Sequence, residues 1–323
     1  MPHRVVVSDT KVLDEETERA VLGSVDATVE TTAAKAPDAV ATAAAGADAL
    51  IVDSRTEVTA EVIGRADSLR VVGRAGIGVD NIDVDAAAER GVAVVNVPDY
   101  SLDEVSTHAL ALALACLRRI PTFDRAVDAG EWDWTAGAPI PRLAGSTVGL
   151  VAFGKIARRL AAKLRGFDVE VLAYDPYVPE YRMTDLGVGK AGFEELLAAS
   201  DILSVHAPLT DDTRGLIDRE ALAALPEGAI LVNTARGPVV DEDALLAALD
   251  SDDLAAAGLD VRETEPPGDS ALHGRDDVVC SPHVAWYSEA SRAELTRTVT
   301  EDVVRVLRGE APENPVDPEE GWY

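Results

Sequence analysis

Residues 148–175 read VGLVAFGKIARRLAAKLRGFDVEVLAYD, and the fold is decided there. An apolar, β-branched run, VGLVAF, reaches Gly154, the helical segment KIARRLAAKLR follows, and a second strand-like run, EVLAYD, closes on Asp175. Strand, turn, helix and strand within about 30 residues make a βαβ unit, whose strands must be parallel. In a dinucleotide-binding unit a glycine lets the backbone approach a pyrophosphate. The helix N-terminus adds N–H groups and the positive end of its dipole, and an acid about 20 residues on takes ribose hydroxyls. Asp175 stands at that remove from Gly154. Only the middle glycine of the three-glycine fingerprint is kept, however, the positions reading Ala152, Gly154 and Ala157. Taken alone, the stretch also suits an ordinary βαβ unit whose glycine merely serves the turn. An acid at 175 repels a 2′-phosphate, so the cofactor expected of such a site is NAD rather than NADP.

Working outward, STVGLVAF (146–153), EVLAYD (170–175), DILSVHA (201–207), GAILVNTA (228–235), AAAGLDV (255–261) and VVCSPH (278–283) give six strands, separated by helices such as FEELLAAS and DEDALLAAL. Six strands in two βαβαβ halves is the dinucleotide-binding arrangement. Upstream, RVVVSD (4–9), ALIVD (49–53), RVVGRA (70–75) and VAVVNV (92–97) form a first alternating block. Between the blocks a helix is expected from Leu102 to about Ile120, acidic at its start (Asp103, Glu104) and basic at its end (Arg118, Arg119), as its dipole prefers. EWDWTAGAPIPRLAG (131–145) reads as a surface loop, and a last amphipathic helix is expected from about Glu289 to Leu307. At 323 residues the chain exceeds the roughly 250 to 300 that one core serves. The expected fold is α/β: two Rossmann-like domains with parallel sheets and a cleft between them. Residues 1–100 with 289–323 form the substrate-binding domain and 101–288 the NAD-binding domain.

Composition narrows the function. With 47% hydrophobic but only 4% aromatic residues, the core must be built from Ala, Val and Leu, as buried parallel strands are. The formal net charge is −29, from 58 acidic and 29 basic residues, and Lys occurs only at 11, 35, 155, 163 and 190. Such a field repels nucleic acid and anionic membranes, which excludes both as partners. It resembles the surfaces of proteins from salt-loving microbes, where salt screens self-repulsion. Cys116 and Cys280 stand in no cluster with metal-ligand spacing, so no metal is expected and a reducing, cytoplasmic setting is. MPHRVVVSD runs into a strand without a leader, and the longest apolar run, Ala109 to Leu117, falls short of the roughly 18 to 20 residues that span a bilayer.

Reduction of a 2-oxo acid needs a cation for the carboxylate and a proton donor for the carbonyl oxygen. Arg offers a permanently charged fork, and His, kept protonated by a neighbouring carboxylate, offers the proton. Arg236 directly follows the strand GAILVNTA, and His283 follows VVCSP, both at strand ends where α/β ligand sites form. A surface Arg in a turn would look the same. Among the other His, His206 ends a strand and is expected to line the cofactor site. His108 lies on an apolar helix and reads as packed or interfacial, while His3 and His273 read as terminus and loop. Glu265 is eligible by its loop position, though pattern alone does not select it from 58 acids.

Four segments in order, VVGRAGIGVDNID (71–83), HAPLTDDTRGLI (206–217), LVNTARGPVVDEDAL (231–245) and GLDVRETEPP (258–267), resemble the D-isomer-specific 2-hydroxyacid dehydrogenases, and the match runs over nearly the whole chain. SPHVAWYSEAS and NVPDYSLDEV look most like the branch of NAD-binding corepressors, the C-terminal binding proteins. The resemblance implies that Arg236 binds the substrate carboxylate, that His283 is the acid/base and that Glu265 is its partner. It implies a cofactor site of Phe153, Gly154, Lys155 and Ile156 at the pyrophosphate, and Asp175 on the ribose. Around the remainder it sets His206, Ala207, Pro208, Thr213, Thr234, Ala235, Arg236, Asp260 and His283, with Ser101 at the domain junction. Ser54, Ala75, Gly76 and Ile77 would face the substrate together with Arg236. Trp286, also beside the cofactor, would narrow the substrate pocket or else pack as a core aromatic. A homodimer is implied, with the 102–120 helix as a contact. The function expected is interconversion of a small 2-oxo acid and a D-2-hydroxy acid with NAD. The alternatives are a corepressor-like NAD(H)-binding regulator, disfavoured by the complete trio and the short tail, and D-3-phosphoglycerate dehydrogenase, disfavoured because no regulatory domain follows. Hydroxypyruvate, glyoxylate and longer 2-oxo acids fit equally well as substrates.

Overall fold

The computed structural model describes residues 2–8 and 11–318. The chain divides into two compact units, Met1–Ser101 with Tyr287–Tyr323, and Leu102–Trp286.

The first unit runs β1 (His3–Val7), α1 (Glu15–Leu22), β2 (Ala27–Thr31), α2 (Pro37–Ala44), β3 (Ala49–Val52), α3 (Ala60–Arg65), β4 (Val71–Arg74), α4 (Val84–Glu89) and β5 (Ala93–Val95). Its sheet has the order β2-β1-β3-β4-β5, with every pairing parallel. β3 and β4 are buried along their whole length; β3 reads as an unbroken apolar run for that reason, while β4 ends in the buried Arg74. β2 is an addition to the four strands expected. Its sequence, ATVET, lies at the sheet edge with no residue fully buried, so no hydrophobic run marks it.

The second unit runs α5 (Leu102–Leu117), α6 (Ile120–Asp128), β6 (Thr147–Val151), α7 (Lys155–Leu164), β7 (Glu170–Tyr174), α8 (Glu180–Thr184), β8 (Gly189–Lys190), α9 (Phe193–Ala199), β9 (Ile202–Val205), α10 (Arg219–Ala223), β10 (Ala229–Asn233), α11 (Glu242–Asp250), β11 (Leu254–Leu259) and β12 (Val278–Cys280). The sheet order is β12-β11-β10-β9-β6-β7-β8, again parallel, so the six expected strands gain a two-residue seventh at the edge. Strand order reverses between β6 and β9, and in open parallel sheets ligands bind at that switch point, beyond the carboxyl ends of the strands. α5 is laid closely on β11: a Cβ on Gly258 would lie 2.9 Å from that of Leu112. The helix expected to reach residue 120 stops at Leu117. Arg119 turns left-handed (φ 53°), and Pro121, which has no N–H for a carbonyl four residues back, opens the second helix. Residues 131–145 form the expected loop except for one 3-10 turn at Trp134–Gly137.

The first unit is completed by α12 (Glu289–Leu307), whose residues Leu295, Val299 and Val303 are wholly buried at helical spacing. The helix packs on β4, where a Cβ on Gly73 would lie 2.9 Å from Val299 and 3.0 Å from Val303. Arg70, just before β4, donates to the carbonyls of Val306 (2.8 Å) and Leu307 (2.9 Å), satisfying the helix end. Among the described residues no helix is long and apolar enough to cross a membrane.

Candidate active site

The turn after β6 is built as a nucleotide phosphate would need it. Ala152, at the first glycine position of the fingerprint, adopts a left-handed conformation (φ 69°), so the backbone bends like the glycine it replaces, at a cost of roughly 1 kcal/mol. Gly154 stands at the N-cap of α7 and, as glycine, brings no side-chain cap to the helix N-terminus. A Cβ on Gly154 would meet no atom within 4 Å, so the space over the turn is open. Phe153 itself is wholly buried. Its N–H donates to Asp175 (2.8 Å) and its carbonyl accepts from Arg158 (2.9 Å), so its part in the turn is to hold it.

Asp175, at the end of β7, is 8% exposed. Its carboxylate accepts the N–H groups of Phe153 (2.8 Å), Tyr177 (2.9 Å) and Val178 (3.1 Å). Three donors leave one of about four lone-pair sites for a ribose hydroxyl. Thr234, beyond β10, has a buried hydroxyl with no hydrogen-bond partner among the described residues, an orphan that a ligand would satisfy. The open turn, the buried acid and this hydroxyl all fit NAD. At the end of β9, the His206 imidazole bonds Ser204 Oγ (2.9 Å), and burial pushes it down to about 4, so it is neutral. Ala207 is buried, and Thr213 ties its turn by donating to the carbonyl of Pro208 (2.6 Å) and accepting from the N–H of Thr210 (2.8 Å).

The chemistry-bearing trio comes together at the ends of β10, β11 and β12. His283 Nδ1 lies 2.7 Å from Glu265 Oε2. Burial works to raise the Glu265 carboxyl, but the His283 imidazole, the Arg262 amide and the nearby Arg236 charge override it and hold it below its ordinary value. An ionised carboxylate only accepts, so the proton of this contact sits on Nδ1 of His283, which leaves Nε2 as the atom free for proton transfer. Glu265 is aimed by a second bond, from the Arg262 N–H to Oε1 (3.0 Å). Arg236 is set by the buried Asn233, whose amide accepts the N–H of Ala235 (3.0 Å) and donates to the Arg236 carbonyl (3.0 Å). The next residue must be glycine, since a Cβ on Gly237 would lie 1.9 Å from the Arg262 carbonyl oxygen. That close approach presses the Arg236 turn against the loop carrying Glu265.

Two residues of the expected site act on protein groups. Asp260, 1% exposed, accepts Ser281 Oγ (2.6 Å) and the N–H groups of Val284 (2.9 Å) and Ala285 (2.9 Å), and so anchors the loop of His283. Trp286 is half-buried, and its indole N–H donates to the His283 carbonyl (3.1 Å), tying the same loop. Asn233, Arg262 and Ser281 were not singled out in the sequence. Of the three, only Ser281 carries a signal in the sequence, its place two residues before His283.

The remaining expected residues belong to the other unit. Ser54 follows β3 beside the buried Asp53, and Ala75, Gly76 and Ile77 form the turn after β4, where Gly76 takes φ 144°. The N–H of Ala75 donates to Val52 (2.8 Å), and Asn96 holds the Ile77 carbonyl (2.6 Å). Ser101 is 1% exposed, and its hydroxyl finds no partner among the described residues.

The family model for the D-isomer specific 2-hydroxyacid dehydrogenase, NAD binding domain, matches residues 110–285. The chain belongs to this dehydrogenase family. Residues 110–285 are thus its NAD-binding domain, and the Gly154 turn lies within it. Among relatives of this chain, a D-3-phosphoglycerate dehydrogenase of Archaeoglobus fulgidus is 41% identical over 84% of the chain and 51% of its own length. A hydroxypyruvate reductase of Thermotoga maritima is 41% identical over 80% of the chain and 83% of its own. The chain thus spans about half the length of the first of these relatives. A solved D-lactate dehydrogenase from Aquifex aeolicus, complexed with NAD and lactic acid, superposes with a TM-score of 0.88 at 25% identity, covering 97% of this chain and 99% of that one.

Proposed function

We propose that the protein is an NAD-dependent dehydrogenase interconverting a small 2-oxo acid and the D-2-hydroxy acid. The observation that carries this reading is the 2.7 Å contact between His283 and Glu265 beside the Arg236 turn, on the carboxyl edge of an NAD-binding domain. Bound NADH supplies the hydride to the carbonyl carbon. Arg236 binds the substrate carboxylate and steadies the carbonyl oxygen as it gains charge. Nε2 of His283 gives that oxygen its proton, and Glu265 holds Nδ1 throughout, so that the ring keeps its orientation and tautomer. Ala235 and Thr234 line the cofactor, and Trp286 bounds the substrate.

Beside Ser54, both Lys35 (2.8 Å) and Arg55 (3.3 Å) pair with the buried Asp53. Cations committed in this way favour a 2-oxo acid without a phosphate group over the substrate named for the archaeal relative. The reading includes a homodimer and adaptation to high salt inside a reducing cell.

The test is oxidation of NADH, followed at 340 nm in high salt, against a panel of 2-oxo acids, with D-3-phosphoglycerate run in the reverse direction. His283→Ala and Arg236→Ala are each expected to lower kcat/KM by a factor of about 10²–10⁴ while NADH still binds. NADH binding without turnover of any acid would overturn the dehydrogenase reading in favour of a regulator.

A further inference from the structure

His283 sits in a left-handed backbone conformation (φ 54°) that a side chain disfavours, so the loop around it must impose that shape. The restraints converge on one residue. The main-chain carbonyl of Asp260 accepts the His283 N–H at 2.7 Å, and its carboxylate takes the N–H groups of Val284 and Ala285 at 2.9 Å each. Asp260 can hold the loop only if its own carboxylate is held, and among the described residues the remaining hydrogen bond to it comes from Ser281 Oγ, 2.6 Å from Oδ1.

Ser281 has a single hydroxyl proton, and Asp260 receives it. His108 Nε2 lies 2.8 Å from the same oxygen and must therefore be the donor of that bond. The imidazole is also 3.6 Å from Asp260 Oδ1, close enough for its N–H dipole to favour the buried anion. The arrangement needs α5 close to the sheet. Gly258, two residues before Asp260, permits this, because Leu112, one turn beyond His108, occupies the space a side chain at 258 would fill.

We propose that His108 is a positioning residue for the reaction: it donates to Ser281, Ser281 donates to Asp260, and Asp260 holds the 283–285 backbone so that His283 Nδ1 meets Glu265. The inference rests on the reading of His283 as the acid/base, but its geometric part does not require turnover. The hydrogen-bonded Nδ1 proton of His283 should give a downfield proton NMR resonance, assigned by its loss in His283→Gln and its shift in Glu265→Gln. In His108→Leu this resonance is expected to broaden or vanish, with kcat about tenfold or more below the parent and the KM for NADH little changed. In His108→Gln, whose amide can donate to Ser281, both resonance and kcat should return towards the parent. Ser281→Ala carries the same expectation as His108→Leu and replaces it if that variant does not fold. A parent-like resonance and kcat in His108→Leu or Ser281→Ala would overturn the proposal. If the parent turns over no acid, the functional reading falls, and the resonance alone decides whether His108 positions the loop.

Discussion

The residues that matter most are held by backbone geometry as much as by side-chain chemistry. Ala152 shows the cost of this: it occupies a left-handed position that glycine takes freely, at the first glycine place of the turn after β6. Ala152→Gly is therefore expected to raise stability by about 0.5–1 kcal/mol, seen as a higher Tm, and to leave NADH affinity equal or tighter. A lower Tm would show that the strain is relieved in some other way. Arg236, Glu265 and His283 could be named from sequence because a family resemblance selected them; spacing alone offered only strand-end positions. The groups that aim them were not legible. Ser281 and His108 are 173 positions apart, and Asn233 works through main-chain atoms, so neither arrangement leaves a periodic trace.

At the scale of elements, strands that cross the sheet interior announced themselves, and edge strands did not. β8 has two exposed residues and β2 none that is buried, so each lacks the apolar run by which a strand is recognised. The break after α5 was legible in principle at Pro121, but the apolar run up to Leu117 masked it. Its consequence is α6, a helix that buries none of its side chains in the described chain. Ile120 is 57% exposed and Val127 50%, and Trp132 and Trp134 just beyond reach 92% and 79%. These exposed apolar side chains are what a dimer interface would cover, and they follow the helix on which dimer contact was expected. Replacing Trp132 and Trp134 together by Ser is expected to convert a dimer to a monomer in analytical ultracentrifugation, with NADH binding retained. A parent that sediments as a monomer would sink the expectation.

For the whole molecule, charge and connectivity have separate consequences. A net charge of −29 on 323 residues makes the folded state repel itself, and the Debye length shrinks from about 10 Å at 0.1 M salt to about 3 Å at 1 M. Tm should therefore rise by several degrees between dilute buffer and molar potassium chloride, as differential scanning calorimetry can read. A Tm indifferent to salt would remove salt adaptation from the functional reading. The alternation of strands and helices made the two sheets legible, whereas the substrate was not, because its side chain is recognised by contacts that no motif records. Connectivity acts on a different timescale. The first sheet is encoded in the opening hundred residues, yet the helix that covers β4 through Val299 and Val303 is encoded near the end. On the ribosome, the intervening NAD-binding unit can complete itself as it emerges, whereas the N-terminal strands must wait, one apolar face uncovered, until translation delivers α12. The nascent chain is thus most in need of a chaperone at its first sheet.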